Sequence, residues 1–185
     1  MKYKLLYTNG DSFAAGEELA LPDLFPEIGE LYTSTEFYRK ITTVGRTTTT
    51  LVDTPEYRKR CKELCYSKTI ADSLGIDLIN DANGGQANQV TVSSTIMRLE
   101  SDLLNKYRPE DIFVIINLTS FDRIKLPNRM AEFKSQSFML NYPYPGRSPV
   151  HDFLIREVVD EYSIVDNLIH ITFLKNYLES KKIQH

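Results

Sequence analysis

The stretch Asp111-Ile112-Phe113-Val114-Ile115-Ile116-Asn117 decides the fold. Five apolar residues in an unbroken run sit between two polar ones. A strand with one wet face alternates apolar and polar residues; an unbroken run is buried on both faces, as in a parallel sheet covered by helices. Immediately upstream, Pro109 ends a helical pattern that runs from Asn88 to about Tyr107. That helix follows a loop, Asp81-Ala82-Asn83-Gly84-Gly85-Gln86-Ala87-Asn88, which in turn follows a short apolar strand, Ile76 to Asn80. Further upstream the spacing predicts one helix from Pro55 to Leu74: Pro is tolerated in a first turn, and Gly75 supplies the stop. At the amino end, residues 2–8 alternate and run into the turn cluster Asn9-Gly10-Asp11-Ser12, which reads as strand, then loop. Downstream, Asp152 to about Lys182 places apolar residues at helical spacing, as one long amphipathic helix or two shorter ones.

The order is strand, helix, strand, helix, strand, helix. Such alternation predicts an α/β fold: a three-layer α/β/α, flavodoxin-like parallel sheet with helices on both faces and right-handed crossovers, in a single domain over 1–185. Ligands of such sheets bind at the carboxyl ends of the strands, near the point where strand order reverses. All three informative loops follow strands and should gather there. Residues 17–54, with a short helix near Ser34 to Lys40, and residues 118–150 are read as long excursions, either lids and binding loops or plain surface insertions.

Twenty-two Lys and Arg stand against 25 Asp and Glu in 185 residues, a net charge of −3. No basic face is evident that would neutralise phosphates, so no nucleic-acid partner is expected. No stretch reaches transmembrane length, and the amino end lacks the apolar core of a signal peptide, so no membrane partner and a cytoplasmic location are expected. Cys61 and Cys65 lie four apart on one face of a predicted helix; two thiols alone do not make a structural zinc site, and reduced thiols in a reducing compartment are expected. Neither a metal nor another cofactor is expected.

Chemistry concentrates in Asn9-Gly10-Asp11-Ser12-Phe13-Ala14-Ala15-Gly16. A serine just after a buried strand, where a helix begins, is placed as a nucleophile, with free N–H groups nearby to stabilise an oxyanion. The plain alternative is that Asp11 or Ser12 only caps the helix. In the second loop, Gly84 and Gly85 let the backbone approach a ligand, and Asn88 either joins the site or caps its helix.

Together these blocks resemble the SGNH (GDSL-type) hydrolase family. Gly10-Asp11-Ser12 matches that family's first block letter for letter, after the first strand. Gly85, after the second strand, matches the glycine of its second block. The resemblance implies Ser12 as nucleophile, Ser12 and Gly85 N–H groups in the oxyanion hole, and Asn88 beside them. The third block departs from the family. Where Gly-x-Asn-Asp is expected, the chain reads Asn117-Leu118-Thr119-Ser120-Phe121-Asp122-Arg123, with Phe121 at the Asn and Asp122 at the Asp. Thr119 or Ser120 would then donate instead, and Arg123 would bind an anionic substrate group or form a surface salt bridge. The last block, Asp-x-x-His, is absent: His151 precedes Asp152, Asp166 and His170 are four apart inside a helical pattern, and His185 is the last residue.

The leading expectation is a serine ester hydrolase, esterase- or acetylesterase-like, acting on a small acyl ester or an acetylated sugar. The alternative is a non-catalytic binding or structural protein on the same scaffold, with the aromatic loop Asn141-Tyr142-Pro143-Tyr144-Pro145-Gly146 as a contact surface. A nucleotide binder is disfavoured, since neither Gly-x-Gly-x-x-Gly nor the Walker pattern occurs. The missing last block leaves three readings open: a short or degenerate version of the family, a fragment that lacks the last strand, or a last strand supplied by a partner chain or by swapping; a sheet that ends early has an open edge, which favours a homo-oligomer or a partner that completes it.

Overall fold

Strand β1 (Leu5–Asn9) is buried along its whole length and lies between two parallel neighbours. The computed structural model describes residues 2–17, 19–20, 55–121, 123–127, 135–139 and 160–185. β2 (Asp77–Asn80) pairs with β1 from Leu5↔Asp77 to Thr8↔Asn80. β3 (Ile112–Ile116) pairs on the other side, from Leu5↔Ile112 to Asn9↔Ile116. The order β2-β1-β3 puts the first strand in the middle, so the chain leaves it toward one edge and returns on the other. The fold is α/β, as expected from the unbroken apolar run.

Alternation along β1 divides the protein into two faces. Leu5 and Tyr7 join Ile112 and Val114 in a core cluster with Val92, Leu99, Leu103, Leu174 and Leu178. These last five come from α4 (Asn88–Arg98), the π-helical turn that follows it (Leu99–Leu103), and α6 (Asp160–Ser180). Full burial of each such side chain contributes about 1.5–3 kcal/mol. The π turn places both Leu99 and Leu103 in the core before the short α5 (Leu104–Lys106) ends the segment. On the opposite face lie Leu6 and Thr8. There α3 (Tyr66–Leu74) approaches, with Ser67 accepting a hydrogen bond from the Asn80 amide at 3.3 Å.

Three expectations need correction. The predicted helix from Pro55 to Leu74 is two helices, α2 (Pro55–Leu64) and α3, broken at Cys65. Cys65 takes extended backbone angles (φ −61°, ψ 144°), and its thiol accepts from the Ser67 hydroxyl at 3.2 Å. Apolar spacing carried straight through the break, so nothing in the periodicity marked it. The helix from Asn88 is likewise interrupted by the π turn and ends at Lys106. The excursion over 118–150 contains an antiparallel pair, β4 (Arg123–Pro127) and β5 (Ser135–Met139). Gly75 does end α3, in the left-handed conformation. Most of the 17–54 excursion, the predicted helix near Ser34, and residues 152–159 of the last helical pattern lie outside the described residues.

Beyond α6 the backbone returns to the sheet. The Val114 N–H donates to the Gln184 carbonyl at 2.8 Å, in a parallel bridge between Phe113 and Gln184. No described helix is long and apolar enough to cross a membrane.

Candidate functional site

The loops after β1 and β3 meet where strand order reverses, the place at which sheets of this kind hold ligands. A cleft of about 780 Å³ opens between them, lined by Asp11, Ser12, Phe13, Gly16, Leu19, Tyr66 and residues 117–120. Four of the sequence-predicted site residues therefore come together: Asp11, Ser12, Thr119 and Ser120.

Ser12 is the first residue of α1 (Ser12–Ala15), and Asp11 is its cap. The Asp11 carboxylate accepts from the Phe13 N–H at 3.2 Å and from the Asn117 amide at 2.7 Å. With Asp11 doing the capping, the Ser12 hydroxyl has no hydrogen-bond partner among the described residues, and neither has its backbone N–H. Ser12 is half-exposed at the cleft wall. Gly10 lies beneath, and its N–H donates to the Asn9 side chain at 2.8 Å. The Asn9 amide in turn donates to Thr91, Ser94 and Thr95 of α4, which fixes the end of β1 against that helix.

Asn117 was not singled out from the sequence, where Phe121 was aligned with the family's asparagine. Its position at the end of the strongest strand was the available signal. Its amide is committed to Asp11 and so ties the β1 loop to the β3 loop. Tyr66 was missed too. Burial pushes its phenol up from the ordinary tyrosine value, with the neighbouring Cys65 and Asp11 adding to the shift, so it faces the cleft as a protonated donor.

Asn88 and Gly85 are placed elsewhere. Asn88 is fully buried behind the β3 loop. Its side-chain oxygen accepts from the Thr119 N–H at 2.8 Å, and its amide donates to the Thr119 carbonyl at 3.0 Å. The same amide donates to Asn167 at 2.9 Å, and Asn167 donates to the carbonyls of Ser163 and Phe121. Asn88 is thus a clamp that shapes the site wall from behind. Gly85 is exposed in the second loop and does not line the cleft. That loop is held instead through Gly84, whose N–H donates to Glu17 at 2.9 Å, and through the Asn83 N–H, which donates to the Gly10 carbonyl at 3.1 Å.

The backbone of Arg123 lies in β4; its side chain, like all of Asp122, lies outside the described residues. Among the described residues no histidine lines the cleft. His170 sits on α6 with Nδ1 2.8 Å from the Asp166 carbonyl oxygen. His185 borders a different groove, between β3 and α6. His151 and the aromatic loop 141–146 lie outside the described residues. Among the described residues, no three His, Cys, Asp or Glu side chains converge as metal ligands would.

No family model, no curated protein and no solved structure matches this chain.

Proposed function

We propose that this protein is a serine ester hydrolase of the SGNH type, with Ser12 as nucleophile and a small acyl ester or an acetylated sugar as substrate. One observation carries the proposal: a Ser12 hydroxyl and N–H without a hydrogen-bond partner among the described residues, at the wall of a cleft above the topological switch point. In this reading the Ser12 Oγ attacks the ester carbonyl and the alcohol leaves. Water then hydrolyses the acyl-serine and returns the free enzyme and a carboxylic acid. The Ser12 N–H faces the developing oxyanion, with Tyr66 and the Ser120 hydroxyl available as further donors. The flavodoxin-like, three-layer arrangement belongs to the same reading.

A second reading, a non-catalytic binding protein on this scaffold, is favoured by a different observation. The amides of Asn88 and Asn117 are both committed to protein groups, and neither described histidine reaches the cleft. Ordinary serine catalysis needs a base that takes the Oγ proton.

Intact mass after incubation with a fluorophosphonate probe separates the two. Under the first reading the full chain gains one phosphonyl group and Ser12→Ala gains none. The single variants His151→Ala, His170→Ala and His185→Ala then identify the base by loss of labelling. A folded wild-type chain that stays unlabelled sinks the hydrolase reading and leaves the binding protein.

A further inference from the structure

The segment that follows β1 exposes its large apolar residues and buries its small ones. Ala14, Ala15 and Ala20 are buried, whereas Phe13 is 66% exposed and Leu19 is 59% exposed. A segment that served packing alone would turn the larger side chains inward, where burial removes the most apolar surface from water. Both large residues line the cleft that Ser12 borders. From the loop after β3, Leu118 lines the same cleft and is 43% exposed. Three apolar side chains from two loops thus converge beside a serine whose hydroxyl has no hydrogen-bond partner among the described residues. Single apolar residues scattered on a surface need no explanation; several gathered in one cleft mark a ligand.

We infer that Phe13, Leu19 and Leu118 form the acyl subsite of this cleft, and that its substrate is a neutral ester with an apolar acyl chain longer than acetyl. The inference rests on the hydrolase reading and selects its acyl-ester branch over the acetylated sugar. Size favours a longer acyl chain. The cleft holds about 780 Å³, within the range of roughly 300–1,000 Å³ that takes drug-sized ligands, and an acetyl group leaves most of that space to water. Charge favours a neutral one. Asp11 is the one charged residue among the described residues that line the cleft, and its carboxylate repels an anionic substrate. That carboxylate also accepts from the Asn117 amide at 2.7 Å, so the two side chains best suited to grip a sugar's hydroxyls hold each other. The subsite acts in both steps of the reaction. Ser12 Oγ bonds to the acyl carbon, the ester C–O bond breaks, and the alcohol leaves with the serine's proton; water then cleaves the acyl-serine to the carboxylic acid. The acyl chain stays on Phe13, Leu19 and Leu118 throughout.

The test is kcat/KM of the full chain on para-nitrophenyl acetate, butyrate and hexanoate, with Ser12→Ala as the blank and fluorophosphonate labelling of Ser12 measured alongside. Each CH₂ laid on the subsite should raise kcat/KM about two- to fourfold, which makes at least about tenfold from acetate to hexanoate. The hexanoate-to-acetate ratio within one variant cancels any change in the reactivity of Ser12 itself. Leu19→Ser and Leu118→Ser should each lower that ratio at least about threefold. Met97→Ser removes an exposed apolar side chain on α4, outside the cleft, and should leave the ratio unchanged. Circular dichroism checks that the variants fold. A labelled Ser12 with no ester turned over, with a ratio near one, or with a ratio that neither leucine variant lowers overturns the inference and leaves the hydrolase reading standing. A folded wild type that is unlabelled and turns over none of the three esters sinks the hydrolase reading and the inference with it.

Discussion

Gly10 and Gly85 follow β1 and β2, and both take positive φ, +152° and +76°. Their surroundings differ completely. A Cβ at Gly10 would stand 2.6 Å from the Asn117 carbonyl oxygen, 2.7 Å from the Asn117 Cβ and 3.2 Å from the Ala14 Cβ. A Cβ at Gly85 would meet nothing within 4 Å. The first loop is shaped by the loop after β3, which presses directly on it; the second is shaped by its own backbone and stands open at Gly85. One glycine is required by packing and conformation together, the other by conformation alone. Of the two glycines matched to SGNH blocks, only Gly10 lies under the cleft residues.

Gly10→Ala gives the largest effect. The new methyl group meets backbone, which cannot rotate aside, in a region of φ that L-residues avoid. Overpacking of this kind and the conformational strain together predict a loss of about 3–5 kcal/mol in urea unfolding. A loss below about 1 kcal/mol would mean that Asn117 can withdraw, and the contrast with Gly85 would collapse.

Asn88→Ala comes next, because it tests what connects the second loop to the third. Removing the buried side chain leaves the N–H and carbonyl of Thr119 unpaired and strips Asn167 of a donor. The part-buried Thr119 groups and the buried Asn167 oxygen, left without partners, predict a loss of about 1–3 kcal/mol. Asn167→Ala removes part of the same network, so the double variant should lose less than the sum of the two single ones. Simple additivity would show that the two asparagines act separately.

These networks mark the limit of what the sequence made legible. The three strands followed from local pattern, most clearly the third, since five apolar residues in a row over Ile112 to Ile116 have few other uses. Ser12 was legible as a candidate because a serine's position after a first strand is a local feature. Asn88 was singled out for the right segment and the wrong role: its partners, Thr119 and Asn167, are 31 and 79 residues away. Asn117 was passed over because its contact with Asp11 spans 106 residues. The β4–β5 pair was read as an excursion because the alternation in Arg123-Ile124-Lys125-Leu126 is short and stops at Pro127, and Ser135–Met139 has no such alternation to pair with it. Periodicity reports which face of an element is buried. It does not report which polar groups meet across the end of a sheet, and the candidate site consists of such meetings.

Gly85→Ala is the smallest of these effects and the one that sharpens the comparison most. Open space around the new methyl group removes the packing penalty and leaves only the left-handed conformation, a loss of about 1–2 kcal/mol. Probe labelling at Ser12 should be unchanged, because Gly85 does not line the cleft. The family resemblance makes the opposite prediction. If the Gly85 N–H holds the oxyanion, a displaced loop should slow labelling by a hundredfold or more, on the order of the loss from removing one such donor. The two outcomes are separable in a single experiment, since stability and labelling rate are read independently. Retained labelling with a small stability loss would confine the reacting edge to the loops after β1 and β3. Slowed labelling would require the second loop to reach the cleft when substrate is bound.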